Sequence, residues 1–372
     1  MTRVVFDIET DSLKPSKIWC LVAKNIDSGQ LYTFGPEQIE QACDLLEKST
    51  YLVGHNILGY DIPVLERLTG RKVVSENTKV VDTLILSRLF NPTRSGPNAH
   101  ALATWGAPSR LNFPKIVFEE YDRYSAEMLD YCIRDVELNL EVFKYLQKEG
   151  KGFSVKSVML EHEVSKILER QTKQGFLIDQ EKAYLLLAQL RERLGEVEEN
   201  VRKIFKPKIE EIVLTPKRKK DGNISRVAKG GRLTNEEYEQ AVAKNNLEPI
   251  KRYKTVEFNL GSRIQIGQYL QEFGWKPQKF TEHGRPIVDE KVLMGVKGIP
   301  EASLIAEYLL VQKRIAQVDS WLNAIDEKDG RVHGFIKSTG AITGRMTHMK
   351  PNMAQVPNLG SPYGKECREC WI

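Results

Sequence analysis

The first 150 residues alternate between strand-like and helix-like segments, and this alternation limits the fold more than any other feature of the sequence. VVFDI, WCLVAKNI and QLYTF are rich in β-branched and aromatic residues and are separated by short polar turns, as neighbouring strands are. PEQIEQACDLLEKS has helical spacing with proline at its start. TYLVGHN predicts another buried strand, and SAEMLDYCIRDVELNLEVFKYLQKEG predicts a long amphipathic helix. The pattern therefore predicts an α/β domain over residues 1–150, with a mixed sheet and flanking helices.

The rest of the chain predicts two further parts after a boundary at KEGKGFS (148–154). Residues 151–326 are mainly helical, with a basic insertion at about 206–255 in which KRKKDGN and KGGR read as flexible turns. Residues 327–372 alternate and turn like short β-strands. We therefore expect a helical region followed by a short β-rich fragment.

Composition narrows the class of protein. Hydrophobic residues make up 41% and charged residues 28% of the chain, as in ordinary globular proteins. Windows of about 18 uninterrupted apolar residues are absent, so we predict no membrane-spanning helix. The chain enters a strand at Arg3 with no charged-then-apolar leader, which predicts a cytoplasm-like compartment. Cys367 and Cys370 form a lone C-x-x-C without a second pair of ligands, which predicts free thiols rather than a zinc site.

Positive charge is concentrated in one segment. Between Arg202 and Arg232, eleven Lys and Arg stand against three acids, a local net charge of +8 in a chain whose total is +5. Such a segment suits a polyanion such as nucleic acid, and a solvated loop is an equally weighted interpretation. The candidate DNA-binding residues in its densest part are Lys217, Arg218, Lys219 and Lys220.

Carboxylates recur at spacings that suit metal-dependent hydrolysis. Asp7 and Glu9 are two apart on a predicted strand and therefore leave the same face. Tyr131 and Asp135 are four apart on a predicted helix and share a face, and Asp61 begins a helix just after a strand. Cleaving a phosphodiester requires an activated water and neutralised phosphate charge, which two Mg²⁺ ions ~4 Å apart supply when carboxylate oxygens hold them. Three segments that each contribute acids are the composition of such a site.

At this point a family resemblance emerges. FDIET (6–10), HNILGYD (55–61) and YCIRD (131–135) resemble the three exonuclease motifs of the DEDD superfamily, in the subtype with tyrosine. The resemblance implies a ribonuclease-H-like fold, removal of nucleotides from 3′ ends and two Mg²⁺ (or Mn²⁺) ions.

The resemblance also implies roles for single residues. Asp7, Glu9 and Asp135 would ligate one metal ion, and Asp7 would bridge to the second. Asp61 would reach the second ion largely through water. Tyr131 would position the attacking water rather than act as a strong base, because an unperturbed tyrosine has a pKa near ~10.

Three further residues of the second motif are candidates for the nucleotide pocket. They are His55, Asn56 and Tyr60. For His55 a packing role at the end of the strand is an equal alternative. Asp82, in VVDTLILSRL, matches an acid often seen between the motifs, with a structural role as the alternative.

The C-terminal half carries a second resemblance. FNLGSRIQIGQYLQEFGWKP (258–277), LLVQKRIAQVDSWL (309–322), GRVHGFIKSTGAITGR (330–345) and PNMAQVP (351–357) resemble the thumb and first palm segment of family A DNA polymerases, most of all the bacteriophage T-odd type. There a proofreading exonuclease precedes the polymerase. The residues implied to contact a primer–template duplex are Arg263, Lys313, Arg314, Arg345, Asn352 and Gln355.

In the phage polymerases an insertion in the thumb binds host thioredoxin as a processivity factor. The basic insertion of this chain stands at the corresponding place, but it is short and its residues do not match clearly. Direct contact of this segment with DNA is the simpler hypothesis.

The chain stops at Ile372, before the palm aspartates and the fingers helix that the family would supply. The expected function is therefore a 3′→5′ proofreading exonuclease and primer–template-binding part of a split or truncated DNA polymerase, in the host cytoplasm if the chain is of phage origin. Its partners would be a single-stranded 3′ end, duplex DNA and a separate polypeptide carrying palm and fingers. The alternative is a DNA-binding assembly subunit that docks such a polypeptide without significant nuclease activity. An RNA-processing exonuclease would leave the polymerase-like thumb unexplained.

Overall fold

The computed structural model describes residues 2–96, 98–114 and 118–372. In chain order the strands are β1 (Thr2–Thr10), β2 (Ile18–Asn25), β3 (Leu31–Phe34), β4 (Ser49–Gly54), β5 (Lys79–Asp82), β6 (Phe176–Leu177), β7 (Lys208–Leu214), β8 (Val227–Ala228), β9 (Gly231–Arg232), β10 (Ile250–Val256), β11 (Ile325–Asp326), β12 (Arg331–Val332), β13 (Phe335–Lys337) and β14 (Thr347–Met349). The helices are α1 (Ile39–Glu47), α2 (Asp61–Thr69), α3 (Thr83–Phe90), α4 (Leu102–Trp105), α5 (Ala126–Glu149), α6 (Val155–Gln174), α7 (Gln180–Ile204), α8 (Asn235–Ala243), α9 (Arg263–Glu272), α10 (Glu290–Met294), α11 (Pro300–Leu322) and α12 (Gly364–Glu369).

The N-terminal part is built on a five-stranded mixed sheet in the order β3-β2-β1-β4-β5. β1 runs antiparallel to β2 and parallel to β4, and β4 runs parallel to β5. The pairing of β1 with β4 ends at Val5, whereas its pairing with β2 continues to Thr10. The mixed sheet with flanking helices confirms the α/β prediction for this region.

Alternate residues of β1 enter two different cores, because successive side chains of a strand point to opposite faces of the sheet. Val4, Phe6 and Ile8 pack with residues of α1 and α2 on one face. Val5 packs on the other face with residues of α3, α4 and α5. The sheet is therefore covered on both sides, and α5 is the long helix that lies against the face shared by Val5, Asp7 and Glu9.

The chain divides into two compact units. The first comprises residues up to Ile178 together with Asn323–Gly360 and Trp371–Ile372. In it α6 packs against α3, β5 and β13, and β6 joins β11 and β12 in a small sheet. The last residues return to this unit, because the amide of Ile372 donates to the carbonyl of Leu177 at 3.1 Å.

The second unit comprises Asp179–Leu322 and Ser361–Cys370. Its main contact is between the long helices α7 and α11, and α9 and α10 pack beside them. The core of this unit includes Val197, Ile266 and Ile305, none of which is exposed to solvent. The division of the chain into parts at residues 150 and 326 stays a prediction.

The basic insertion has a folded core of its own, and the two turns predicted in it connect its strands: KRKKDGN lies between β7 and β8, and KGGR covers the turn from β8 to β9. The flexibility of these turns stays a prediction. β7 and β10 pair antiparallel from Lys208 opposite Val256 to Leu214 opposite Ile250. Leu214, Ala228 and Leu233 are buried together against the side chains of Ile212, Tyr238 and Ile250. We call residues 208–256 the basic lobe. Its basic turn, Lys217–Lys220, remains exposed.

None of the helices in the described part of the chain is long and apolar enough to cross a lipid bilayer. The five cysteines are all buried, and none of them forms a disulfide bond.

Candidate functional site

The acidic end of β1 forms one side of the candidate site. Asp7 is partly buried and Glu9 is 7% exposed, and both lie on the sheet face that α5 covers. Glu9 stands opposite Cys20 of β2 in the strand register. The prediction that the two carboxylates share a face is confirmed.

α5 forms the other side. Tyr131, Cys132 and Asp135 are buried on the face of α5 that meets the sheet. The thiol of Cys132 lies 3.6 Å from the carbonyl oxygen of Asp7 and 3.9 Å from its Oδ2. Tyr131 and Asp135 share this face, as their spacing predicted.

Burial and two carboxylates hold the Tyr131 hydroxyl in its neutral form. Burial raises the pKa of Tyr131 first, and the nearby charges of Asp135 and Glu9 raise it further. A hydrogen bond with Tyr121 acts in the same direction. The phenol can therefore donate a hydrogen bond at neutral pH but cannot serve as a base there.

Asp61 approaches β1 from a different direction. As the first residue of α2 it is 3% exposed, and its Oδ1 accepts a 3.2 Å hydrogen bond from the amide of Ile8. This contact falls beyond Val5, where β4 no longer pairs with β1. Burial raises the pKa of Asp61 to about 7, while its own amide and that of Ile8 oppose the shift. A positive charge beside this carboxyl would restore its ionised form.

Asp82 builds the loop that carries Asp61. Its Oδ1 accepts from the amides of Asn56 and Leu84, both at 2.9 Å, and its Oδ2 accepts from the amide of Leu58 at 3.1 Å. Asp82 also caps α3 and is 1% exposed, so backbone amides occupy both oxygens of its carboxylate. These contacts support a structural role for Asp82, the alternative given above, rather than a role as a metal ligand.

Two of the three candidate pocket residues of the second motif form internal hydrogen bonds through their side chains. His55 Nδ1 lies 2.9 Å from Thr83 Oγ1, and the Tyr60 hydroxyl lies 2.6 Å from Thr10 Oγ1 and donates to the carbonyl of Ser12 at 2.9 Å. Asn56 is exposed and has a left-handed backbone with φ of 69°. Asn56 therefore presents its side chain to solvent, whereas the polar atoms of Tyr60 are used within the fold.

The side chains beside Asp7 include donors that suit a divalent ion. Among the residues that the structure describes, one group of three side chains offers ligand atoms that all lie within 4.8 Å of one another: Asp7, Glu9 and Cys132. Two carboxylates on one face suit a hard cation. Asp61 and Asp135 lie outside that group of three, and the identity of the metal ion stays a prediction.

The predicted duplex contacts in the second unit differ in exposure. Arg263, at the start of α9, and Lys313, on α11, are exposed. Arg314 is 6% exposed, and its guanidinium donates to the carbonyl of Pro362 at 3.4 Å and to Gln317 Oε1 at 3.2 Å. Arg314 thus binds its own unit in this conformation, and a role in binding phosphate remains a prediction.

Three predicted contacts belong to the first unit and lie near β13 and β14. Arg345, Asn352 and Gln355 are all exposed. Asn352 Oδ1 accepts from the amide of Ala354 at 3.2 Å, which orders the turn around it. Their contact with DNA stays a prediction.

Sequence reasoning missed two side chains of this region. The position of Cys132 beside the site was predictable, because it stands three residues before Asp135 and residues at this spacing share a helix face. His162, 1% exposed, accepts the amide hydrogen of Asp82 on Nε2 at 2.9 Å. No local signal marks that contact, since its partners are 80 residues apart.

The known proteins that this chain resembles, as reported below, are DNA polymerases. Residues 232–372 match the model of DNA polymerase family A. The chain is 30% identical to a DNA-directed DNA polymerase of Enterobacteria phage T3 and 31% identical to one of Escherichia phage T7, each over 98% of this chain and 64% of the relative. The chain therefore spans just under two thirds of the length of these two phage relatives. A DNA polymerase I of Helicobacter pylori is 26% identical over 85% of this chain and 30% of its own length.

A solved structure shares the fold. The POL domain of Pol1 from M. smegmatis, in complex with DNA primer-template and dNTP, superposes with a TM-score of 0.67. The match covers 100% of this chain and 54% of that one at 16% sequence identity, which is a likeness of fold.

Proposed function

Because this chain belongs to the family A DNA polymerases, we propose that residues 1–150 are a 3′→5′ exonuclease that proofreads DNA. The observation that carries the proposal is the meeting of β1 and α5, where Asp7 and Glu9 face the helix that bears Tyr131 and Asp135. Carboxylates that come together from a strand and a helix suit phosphodiester hydrolysis. In this proposal the domain has a ribonuclease-H-like fold.

Asp7, Glu9 and Asp135 would hold one divalent ion, and Asp7 with Asp61 would hold the other. When bound, Mg²⁺ or Mn²⁺ ions lower the pKa of a coordinated water and neutralise phosphate charge. The protein supplies the ligands in a fixed arrangement, because Asp61 is anchored on the amide of Ile8. Burial raises the pKa of Asp61, so this carboxyl would need a cation beside it to be fully ionised near neutral pH.

Tyr131 would orient the attacking water by donating or accepting a hydrogen bond. The raised pKa of its hydroxyl argues for this role, because the group stays neutral at the pH of the reaction. Asn56, exposed beside the second motif, would contact the terminal nucleotide, and His55 and Tyr60 would shape the same pocket.

The remaining residues would bind the primer–template. We assign residues 151–326 to a thumb and residues 327–372 to a part of the palm. Exposed Arg263, Lys313 and Arg345 would contact phosphates. The basic turn of the basic lobe would add sequence-independent attraction for DNA.

Degradation of a 5′-labelled single strand in Mg²⁺ tests the proposal. The protein should shorten the strand stepwise from its 3′ end, and Asp7→Ala should slow this by ~10³-fold or more. The matched control is Asp27→Ala, an exposed acid that forms a surface ion pair with Arg3. Equal activity of the Asp7→Ala and wild-type proteins would refute the site, and a preference for an RNA strand would refute the assigned substrate.

A further inference from the structure

A cavity of about 730 Å³ lies in the first unit, outside the candidate metal site. Its wall is formed by the loop that follows α3, by α4 and the turn after it, and by the C-terminal half of α5. Because α5 rises ~1.5 Å per residue, Tyr145 at the cavity stands ~15 Å along the helix from Asp135. The cavity is therefore a separate feature of this unit.

The side chains of this wall favour an anion. Arg94 and Arg110 supply positive charge, and Thr93, Ser95 and Ser109 supply hydroxyl groups. Among the described residues that line the cavity, none carries a carboxylate. Positive charge combined with several hydrogen-bond donors is the combination that binds phosphate groups in proteins.

Neighbouring side chains are affected by the same positive charge. Burial and then the charges of Arg88, Arg94, Arg110 and Lys337 lower the pKa of His100 to about 4. Burial and then Arg94 also lower the pKa of Arg110. These cations repel one another, so an anion beside the two arginines of the cavity would relieve that repulsion.

Two buried nitrogen atoms at the cavity have no acceptor among the residues that the structure describes. They are Nε1 of Trp105, a side chain that is 1% exposed, and Nε of Arg94. Arg94 Cζ lies 4.3 Å and Arg110 Cζ lies 5.2 Å from the centroid of the indole ring. Arg94 donates to Glu149 through a different nitrogen. Since buried donors are nearly always paired, these two indicate an acceptor that the chain itself does not supply.

Tyr145 adds an accessible aromatic ring to the cavity. Its side chain is 43% exposed, and its centroid lies 5.2 Å from that of Trp105. An aromatic ring can stack on any nucleobase, because every base has a π face. The cavity therefore offers groups that suit both the phosphate and the base of a nucleotide.

We propose that this cavity binds a nucleotide, with Arg94 and Arg110 on its phosphate and Tyr145 against its base. Nε1 of Trp105 donates to a phosphate oxygen once the arginine side chains beside the indole shift, which their several rotatable bonds allow. The nucleotide is a free nucleoside 5′-monophosphate or one unit of a single strand, and both present the same phosphate chemistry. The site does not depend on the proposed exonuclease, because none of its residues is a proposed metal ligand.

The indole N–H resonance of Trp105 reports on this contact in protein labelled with ¹⁵N-tryptophan. The chain has five tryptophans, and this resonance is identified by its absence from Trp105→Phe or, if that variant does not fold, by elimination with variants of the others. In EDTA, thymidine 5′-monophosphate should shift the resonance saturably, whereas thymidine, which lacks the phosphate, should leave it in place. Equal responses to the two compounds, or no response to either, would overturn the proposal.

Arg110→Gln should weaken the binding of thymidine 5′-monophosphate by at least ~10-fold, because a charge-assisted hydrogen bond to the phosphate is lost. The matched control is Arg123→Gln, an exposed arginine that pairs with Glu120 at the surface and should leave the affinity unchanged. Asp7→Ala should also keep the shift. Wild-type affinity in Arg110→Gln would overturn the site, and loss of the shift in Asp7→Ala would place the ligand at the metal site instead.

A single-stranded oligothymidylate distinguishes the two sources of the phosphate. If the ligand is part of a strand, the oligonucleotide should shift the Trp105 resonance at a lower concentration than the monophosphate does, and a free nucleotide predicts the reverse order. The site and the exonuclease also fail separately. An inactive protein that keeps the shift would refute the exonuclease alone, and an active protein in which neither compound shifts the resonance would refute this site alone.

Discussion

The backbone amide of Asp82 donates a 2.9 Å hydrogen bond to Nε2 of His162, 80 residues further along the chain. The other ring nitrogen, Nδ1, lies 2.8 Å from the carbonyl of Val158, which can only accept, so His162 carries its proton on Nδ1. Burial lowers the pKa of His162, which keeps the ring neutral and Nε2 available as an acceptor. This hydrogen bond connects α6 to Asp82, the residue whose carboxylate binds the amides of Asn56 and Leu58 in the loop before Asp61.

His162→Leu should lower the free energy of unfolding by ~1–3 kcal/mol, because the amide of Asp82 would remain buried without its acceptor. Chemical denaturation monitored by circular dichroism measures the change. His283→Leu, at an exposed position, is the control and should differ little from the wild-type protein. Equal stability of the two variants would contradict the role of His162.

Asp82→Asn should destabilise the protein by ~1–2 kcal/mol, because one oxygen that accepts amide hydrogens becomes an NH₂ group facing them. The loop from Asn56 to Leu58 should loosen, so its amides should exchange with deuterium faster than in the wild-type protein. Asp130→Asn changes an exposed acid on α5 and should leave exchange in this loop unaltered. Unchanged exchange in Asp82→Asn would show that another interaction holds the loop.

Tyr131→Phe should reduce the single-turnover rate of strand shortening by up to ~10²-fold, less than Asp7→Ala, because it removes one hydrogen bond and no metal ligand. The ring should keep its packing against Phe118, whose centroid is 5.6 Å away. Since the pKa of Tyr131 is raised, the pH–rate profile of the variant should keep the shape of the wild-type profile. Loss of a limb of that profile would identify Tyr131 as a titrating base, and Tyr184→Phe controls for removal of an exposed hydroxyl.

His100 should make stability depend on pH. Burial and surrounding cations lower its pKa to about 4, from about 6.5 in an unfolded chain. The cations are Arg88, Arg94, Arg110 and Lys337. Between these pH values the unfolded state binds more protons, so this group makes stability fall as pH falls from about 6.5 to 4.

His100→Asn should therefore flatten the dependence of the free energy of unfolding on pH within that window. Urea denaturation at several pH values measures the slope. His283→Asn, exposed in the second unit, should keep the wild-type slope. An unchanged slope in His100→Asn would mean that other groups set the acid sensitivity.

The basic turn should contribute to DNA binding through charge alone. Replacing Lys217, Lys219 and Lys220 by alanine should weaken the binding of single-stranded DNA equally for different sequences. The slope of log affinity against log salt should fall by ~0.7 for each phosphate that the variant no longer neutralises. Fluorescence anisotropy at several salt concentrations measures both quantities.

The control for this experiment removes the same charge from a different surface. Lys144, Lys148 and Lys151 are exposed at the end of α5 and just beyond it. Their replacement by alanine should change the salt slope less than the replacement in the basic turn. The same decrease in both triple variants would indicate a nonspecific effect of net charge.

Local pattern predicted much of the first unit. Alternation along β1 was enough to place Asp7 and Glu9 on one face, because side chains of a strand repeat every two residues. Helical spacing likewise placed Tyr131 and Asp135 together on α5. The basic lobe was not predictable in this way, since β7 and β10 pair across more than 30 residues of intervening chain, and most residues of both strands stay exposed or only partly buried.

The sequence by itself determined which residues carry the acidic chemistry and on which face of its own element each one stands. The tertiary structure alone decided what lies opposite. It brought Cys132 within 3.9 Å of Asp7, anchored Asp61 on the amide of Ile8, and set His162 against Asp82. Periodicity is a property of one element, whereas the distance between two elements depends on how the whole core packs.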